Sequence, residues 1–192
     1  FNTLQMGMVA ANRVFRILDT DSQIEDNGTL TAKDVKGKIE FSEVRFGYLQ
    51  DEEVLHGVSF AVEPGQTVAI VGATGAGKST IINLLNRFYE INSGAILVDG
   101  VDIKEYKLSF LRDKIAVVLQ DVFLFADTIA NNISLNKEAV PIENIENAAK
   151  EIGVHDFISS LPGGYRYNVK ERGTMLSSGQ RQLIAFLRAY VS

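Results

Sequence analysis

The run Gly72-Ala73-Thr74-Gly75-Ala76-Gly77-Lys78-Ser79-Thr80 has residue types and a spacing that suit phosphate chemistry. It fits the pattern G-x-x-x-x-G-K-[ST]. Glycines let backbone N–H groups turn inward around an anion. A helix that starts where the run ends points its positive dipole end at the same place. Lys78 adds a mobile cation for the β- and γ-phosphates. The Ser79 hydroxyl is a hard oxygen of the kind Mg²⁺ takes as a ligand. These nine residues predict a nucleotide phosphate site with Mg²⁺.

Such a loop works only between a strand and a helix. Thr67-Val68-Ala69-Ile70-Val71 before it reads as the strand. Ile81, Leu84, Leu85 and Phe88 after it fall on one helical face. Upstream, residues 1–18 read as a helix with Leu4, Met8, Ala11, Val14, Phe15 and Leu18 at spacings of three and four. It is either an amphipathic helix docked on the domain or the cytosolic end of a membrane helix. Residues 19–36 are polar and read as a solvated linker, and the folded domain begins near Gly37.

Within the domain, Ile39–Phe46, Val58–Val62 and Ala95–Val98 alternate as strands. Ser109 to Lys114 reads as a short helix with Ser109 as its cap. Ile115–Leu119 is a continuous apolar run, consistent with a strand covered on both faces. From about 121 to 176 the pattern is helical. Asp127-Thr128 cap a first helix, Pro141 opens a second that Gly153 ends, and His155–Leu161 forms a third. A last helix places Leu183, Phe186, Leu187 and Tyr190 on one side.

Bulk composition sets limits. With 192 residues and 46% hydrophobic content the chain can bury a core. A net charge of −5 argues against a nucleic-acid partner. The absence of cysteine excludes disulfides and thiolate metal sites.

Three further features lie around the phosphate loop: Tyr48 in Arg45-Phe46-Gly47-Tyr48, Gln120 at the end of Val118-Leu119-Gln120-Asp121, and Leu176-Ser177-Ser178-Gly179-Gln180 at a helix start. Together and in this order they resemble the nucleotide-binding domain of an ABC transporter, from about residue 37 to the end. Asn83–Tyr89 and Leu97–Ile103 resemble the exporter branch, in which membrane and nucleotide-binding domains are fused. Val14–Asp19 resembles the exit from that branch's last membrane helix.

The resemblance implies an α/β fold: a P-loop NTPase (RecA-like) core, incomplete, with an antiparallel β subdomain and an α-helical subdomain. Residues 1–18 would lead out of a membrane domain. The resemblance also implies ATP and Mg²⁺ as cofactors, held by Gly72–Thr80 with Ser79 and Gln120 on the metal. Tyr48 matches the aromatic that stacks on adenine. Lys78 and Gln120 would support phosphoryl transfer.

Leu176–Gln180 matches the signature usually read L-S-G-G-Q, with Ser178 in place of the first glycine. In this family it covers the nucleotide of a second, head-to-tail domain, identical or different. The Gln120 region and Glu171-Arg172-Gly173 would meet membrane domains. The expected place is the cytoplasmic face of the cell membrane, and the expected work is ATP-driven export of a lipid, drug or peptide.

Phosphoryl transfer to water also needs a carboxylate on Mg²⁺ and a group that orients the water. In the resembled family these follow the signature helix, and no apolar run ending in Asp-Glu occurs in this sequence. Residues 1–192 alone are therefore expected to bind ATP and hydrolyse it negligibly. His56 and His155 do not match the family's switch histidine and read as surface or packed side chains. Alternatives are a GTPase, a small kinase or a non-transport relative. Asn136-Lys137-Glu138-Ala139 approaches the guanine-reading N-K-x-D but has Ala where Asp must stand.

Overall fold

The computed structural model describes residues 2–20, 24–135 and 140–191. The chain divides into two compact units, one up to Leu111 and one from Arg112 on.

The first unit begins with helix α1 (Asn2–Leu18). Its described apolar side chains, among them Met8, Val14, Phe15 and Leu18, are exposed. Docking of α1 on the domain is therefore not observed. Next comes an antiparallel sheet of β1 (Ile39–Phe46), β2 (Leu55–Val62), β3 (Ser93–Val98) and β4 (Val101–Asp102), in the order β2-β1-β3-β4. β1 buries Phe41, Val44 and Phe46. A register shift at Glu43, where φ is 48°, breaks the alternation and puts Phe41 and Val44 on the same side. Phe41 stacks on Phe60 of β2 at 4.7 Å. Helix α2 (Lys78–Leu85) follows the glycine run and buries Ile81, Leu84 and Leu85. It stops there, since Arg87 turns left-handed at φ 53°. Phe88 lies past the helix end and is exposed, contrary to its expected place on the helical face.

Residues 24–38 are not a free linker. The Thr29 and Leu30 N–H groups donate to the Glu105 carbonyl, and Lys107 N–H donates to the Leu30 carbonyl. The buried Arg87 guanidinium donates to the Glu25 carbonyl and to Glu90. The Asp99 carboxylate accepts the N–H groups of Lys36, Gly37 and Lys38 at 2.7–3.0 Å. Polar composition suggested solvation, but these polar groups serve as tethers. Helix α3 (Leu108–Lys114) shows the same device. Its first turn is capped by Asp26, whose carboxylate accepts the Leu108 N–H at 2.9 Å. Ser109 lies inside the helix and is not its cap.

The two expected core strands, Thr67–Val71 and Ile115–Leu119, make no ladder. A strand exists only when a neighbour completes its backbone hydrogen bonds. No described segment does so for either. Leu119 is 62% exposed, so the burial expected on both faces of Ile115–Leu119 is also absent.

The second unit packs α4 (Ile129–Ser134), α5 (Ile142–Glu151), α6 (His155–Ser160) and α7 (Ser178–Val191) around Leu124, Ile129, Ile145, Ile158, Ile184 and Leu187. Thr128 caps α4 by accepting the Asn131 N–H at 3.1 Å. The fully buried Asn132 exchanges hydrogen bonds with both backbone groups of Phe125, which fixes the segment after Gln120. Helix α7 buries Ile184, Ala185 and Leu187 and leaves Leu183, Phe186 and Tyr190 exposed. The expected stripe was one residue out of phase, because sequence shows an apolar stripe without showing which of two stripes has a partner.

Candidate nucleotide phosphate site

The loop from Gly72 to Gly77 is exposed until its last residue. Gly77 stands at the N-cap of α2 with φ 85° and ψ 7°. A Cβ there would lie 2.7 Å from a Leu55 methyl carbon, so glycine is required both by the left-handed backbone and by close packing on β2. This turn sets the N-terminus of α2 at the loop. Its first N–H groups have no partner inside the helix, and its dipole favours an anion there.

Lys78 is the first residue of α2. Its ammonium donates to the carbonyls of Gly72 and Ala73 at 2.9 and 2.8 Å. The cation is thereby held along the loop at the helix start. Ser79 is exposed one residue later. Its single hydroxyl suits Mg²⁺, which keeps most of its shell for water and phosphate oxygens. Among the described residues no group of three or more His, Asp or Glu could hold a metal.

Tyr48 follows β1 and Gly47. Its hydroxyl lies 3.1 Å from the Thr80 hydroxyl, and its ring meets Phe46 and Tyr89 edge to face at 4.9 and 5.0 Å. The structure thus brings the predicted base-stacking residue to the predicted phosphate helix. Nearby, His56 is exposed and bonds Glu53, which Arg45 also pairs. The His56 hydrogen bond, with Arg45 beside it, holds the Glu53 carboxyl below the usual range.

Gln120 and Leu176–Gln180 belong to the second unit. The Gln120 carbonyl accepts from the Gln182 side chain at 3.4 Å, which joins it to α7. Beyond it a cleft of about 520 Å³ is lined by Val117, Leu119, Phe123, Phe125 and Leu135. Leu176 is buried, while Ser177, Ser178 and Gly179 are exposed at the start of α7. Ser178 takes its place as an ordinary first helical residue. Glu171–Gly173 form a 3₁₀ turn. A Cβ on Gly173 would lie 2.9 Å from Leu124, so packing explains that glycine. His155 is half-buried between Tyr165 and Ser159, a packed position.

The family model described as ABC transporter matches residues 55–192. The chain belongs to the ABC transporter family. It is similar to an ATP-dependent lipid A-core flippase of Saccharophagus degradans, with 47% identity across 97% of this chain and 32% of the flippase. A putative multidrug export ATP-binding/permease protein of Bacillus subtilis is 42% identical across 98% of the chain and 33% of that protein. Among solved structures, a bacterial Atm1-family ABC exporter with ATP bound superimposes with a TM-score of 0.87 at 41% identity, covering 99% of this chain and 34% of the exporter. The chain therefore spans about a third of the length of the relatives it matches. The ABC match supports the P-loop NTPase fold and sets aside the GTPase and kinase readings. Asn136–Ala139, weighed above for guanine, lies outside the described residues.

Proposed function

We propose that this chain is the ATP-binding domain of an ABC exporter. One observation carries it: the left-handed Gly77 starts α2 at the glycine loop and aligns Lys78 along that loop. Gly72–Thr80 hold the phosphates, Lys78 meets the β- and γ-phosphates, and Tyr48 stacks on the base. Ser79 would ligate Mg²⁺, whose charge would offset that of the phosphates. Gln120, in the second unit, is a ligand on the family resemblance alone. Base stacking tolerates different bases, so phosphate contacts dominate affinity.

The start of α7 acts on the nucleotide of a second domain placed head to tail. Its N–H groups, the Ser177 hydroxyl and the bare Gly179 backbone face an anion supplied by that partner. Closure needs the γ-phosphate, so ADP does not substitute for ATP. The Gln120 region, with its apolar cleft, and Glu171–Gly173 meet the membrane domains. In the whole protein, closure and reopening drive export of a lipid, drug or peptide from the cytoplasmic face of the membrane. No described helix is long and apolar enough to cross a membrane, so in this proposal the spans lie outside these residues.

Residues 1–192 alone bind ATP and hydrolyse it negligibly, since no apolar run ending in Asp-Glu occurs among them for water activation. Loss of a general base costs roughly 10²–10⁴ in rate. Equilibrium binding of Mg·ATP tests the proposal. The wild type binds, and Lys78→Ala weakens binding about ten- to a hundredfold, as expected for a charged contact to phosphate. Equal affinities for the two would overturn it.

A further inference from the structure

The loop that carries Tyr48 is held by a residue outside the phosphate site. Gly47 N–H donates to the Asn92 side-chain oxygen at 2.8 Å, and Asn92 N–H donates to the Arg45 carbonyl at 3.0 Å. Asn92 therefore ties down the residues on either side of Phe46, immediately before Tyr48. The turn is tight: Val54 N–H returns to the Phe46 carbonyl at 2.7 Å. A Cβ on Gly47 would lie 2.2 Å from the Glu52 carbonyl oxygen, so no side chain fits there. At the far end of the ring, the hydroxyl of Tyr48 meets Thr80, third residue of the helix that Lys78 begins, and the Asn83 amide at 3.4 Å. Tyr48 still shows 46% of its surface.

We propose that Asn92 is a positioning residue for base recognition, fixing the Tyr48 ring at a set distance from the phosphate loop. The inference rests on Tyr48 being the base-stacking residue. An aromatic platform held in place before binding spares the ordering cost that a mobile loop would incur. Asn92 acts through the Gly47 amide and touches no nucleotide atom. Its effect is confined to the base, and phosphate binding is independent of it.

Binding of ATP and of inorganic tripolyphosphate, each with Mg²⁺, to the full protein separates the possibilities. Asn92→Ala and the near-isosteric Asn92→Leu both remove the acceptor. Each weakens ATP about three- to tenfold, as befits one hydrogen bond, and leaves tripolyphosphate unchanged. Asn92→Asp keeps an acceptor for Gly47 and restores ATP binding. In a Tyr48→Ala background, Asn92→Ala has no further effect.

Unchanged ATP affinity in both acceptor-less variants overturns the inference. So does an equal loss for both ligands, or an Asn92→Ala effect that persists without Tyr48. If Tyr48→Ala itself leaves ATP binding intact, the assignment of Tyr48 fails. If the wild type binds neither ligand, the phosphate site fails.

Discussion

Ser177 and Gln180 cap each other across the first turn of α7. The Ser177 N–H donates to the Gln180 side-chain oxygen at 2.8 Å, and the Gln180 N–H donates to the Ser177 hydroxyl oxygen at 3.2 Å. This is a capping box, S-x-x-Q, formed by two residues of the signature. The side chains that the family resemblance assigns to a partner's nucleotide also hold the helix start in shape. The Ser177 oxygen is occupied as an acceptor, and its proton remains to donate.

Removing either half of this box destabilises the chain by about 1 kcal/mol. Ser177→Ala and Gln180→Ala together cost less than the sum of the singles, because they share the pair. Gly179→Ala behaves oppositely. Nothing lies within 4 Å of a Cβ there, so the added methyl raises helix stability by up to about 1 kcal/mol. Denaturant unfolding reads all four variants. A destabilising Gly179→Ala would show that the fold itself needs that glycine.

The two left-handed glycines of the phosphate loop separate strain from packing. Gly75 and Gly77 both have φ of 85°. Gly75 has nothing within 4 Å of its missing Cβ, whereas Gly77 faces Leu55 and Val54. Gly75→Ala costs about 1–2 kcal/mol from the backbone alone. Gly77→Ala adds a clash and costs about 1–3 kcal/mol more. Thermal unfolding of the two variants measures the difference, and equal losses would remove the packing argument.

The phosphate loop, β1 to β3 and the caps of α4 and α5 were legible in sequence because each rests on local chemistry: glycines before Gly-Lys-Ser, near-alternation in Ile39–Phe46, Thr128 before Ile129. What was not legible depends on distant partners. Asp26 reads as linker until Leu108 comes to it from 82 residues away. Asn92 carries no local signal, and its role shows only where Gly47 meets it. Leu119 reads as buried core, yet burial depends on a neighbouring strand that local sequence does not specify. The S-x-x-Q cap at Ser177 was available from spacing alone, and the signature match masked it.

Asp99 binds the strap of residues 36–38 to the β3–β4 turn through three backbone N–H groups. A carboxylate in a cluster of amides is a charge-assisted contact. Asp99→Ala removes every acceptor and costs about 1–3 kcal/mol. Asp99→Asn keeps one oxygen and costs less. Amide hydrogen exchange at Lys36, Gly37 and Lys38 speeds up in both, more in the alanine variant. Unchanged exchange would mean the strap is held by its other contacts, near Leu30.

The buried Tyr165 makes the second unit sensitive to alkali. Burial, and secondarily the Glu146 charge, push its phenol from 10.0 up to about 12. The folded chain therefore keeps this proton where the unfolded chain has lost it. The stabilisation is complete below pH 10 and falls between pH 10 and about 12, since the folded state binds more protons there. A rise from 10.0 to about 12 corresponds to roughly 2–3 kcal/mol. Tyr106 and Tyr190 shift in the same direction, so the wild-type curve falls for more than one reason. Tyr165→Phe isolates the largest part. It loses the hydrogen bond to His155, about 1 kcal/mol at neutral pH. Its stability should then decline less steeply above pH 10, so that the two proteins converge. Parallel curves from pH 8 to 11.5 would show that Tyr165 titrates normally in the fold.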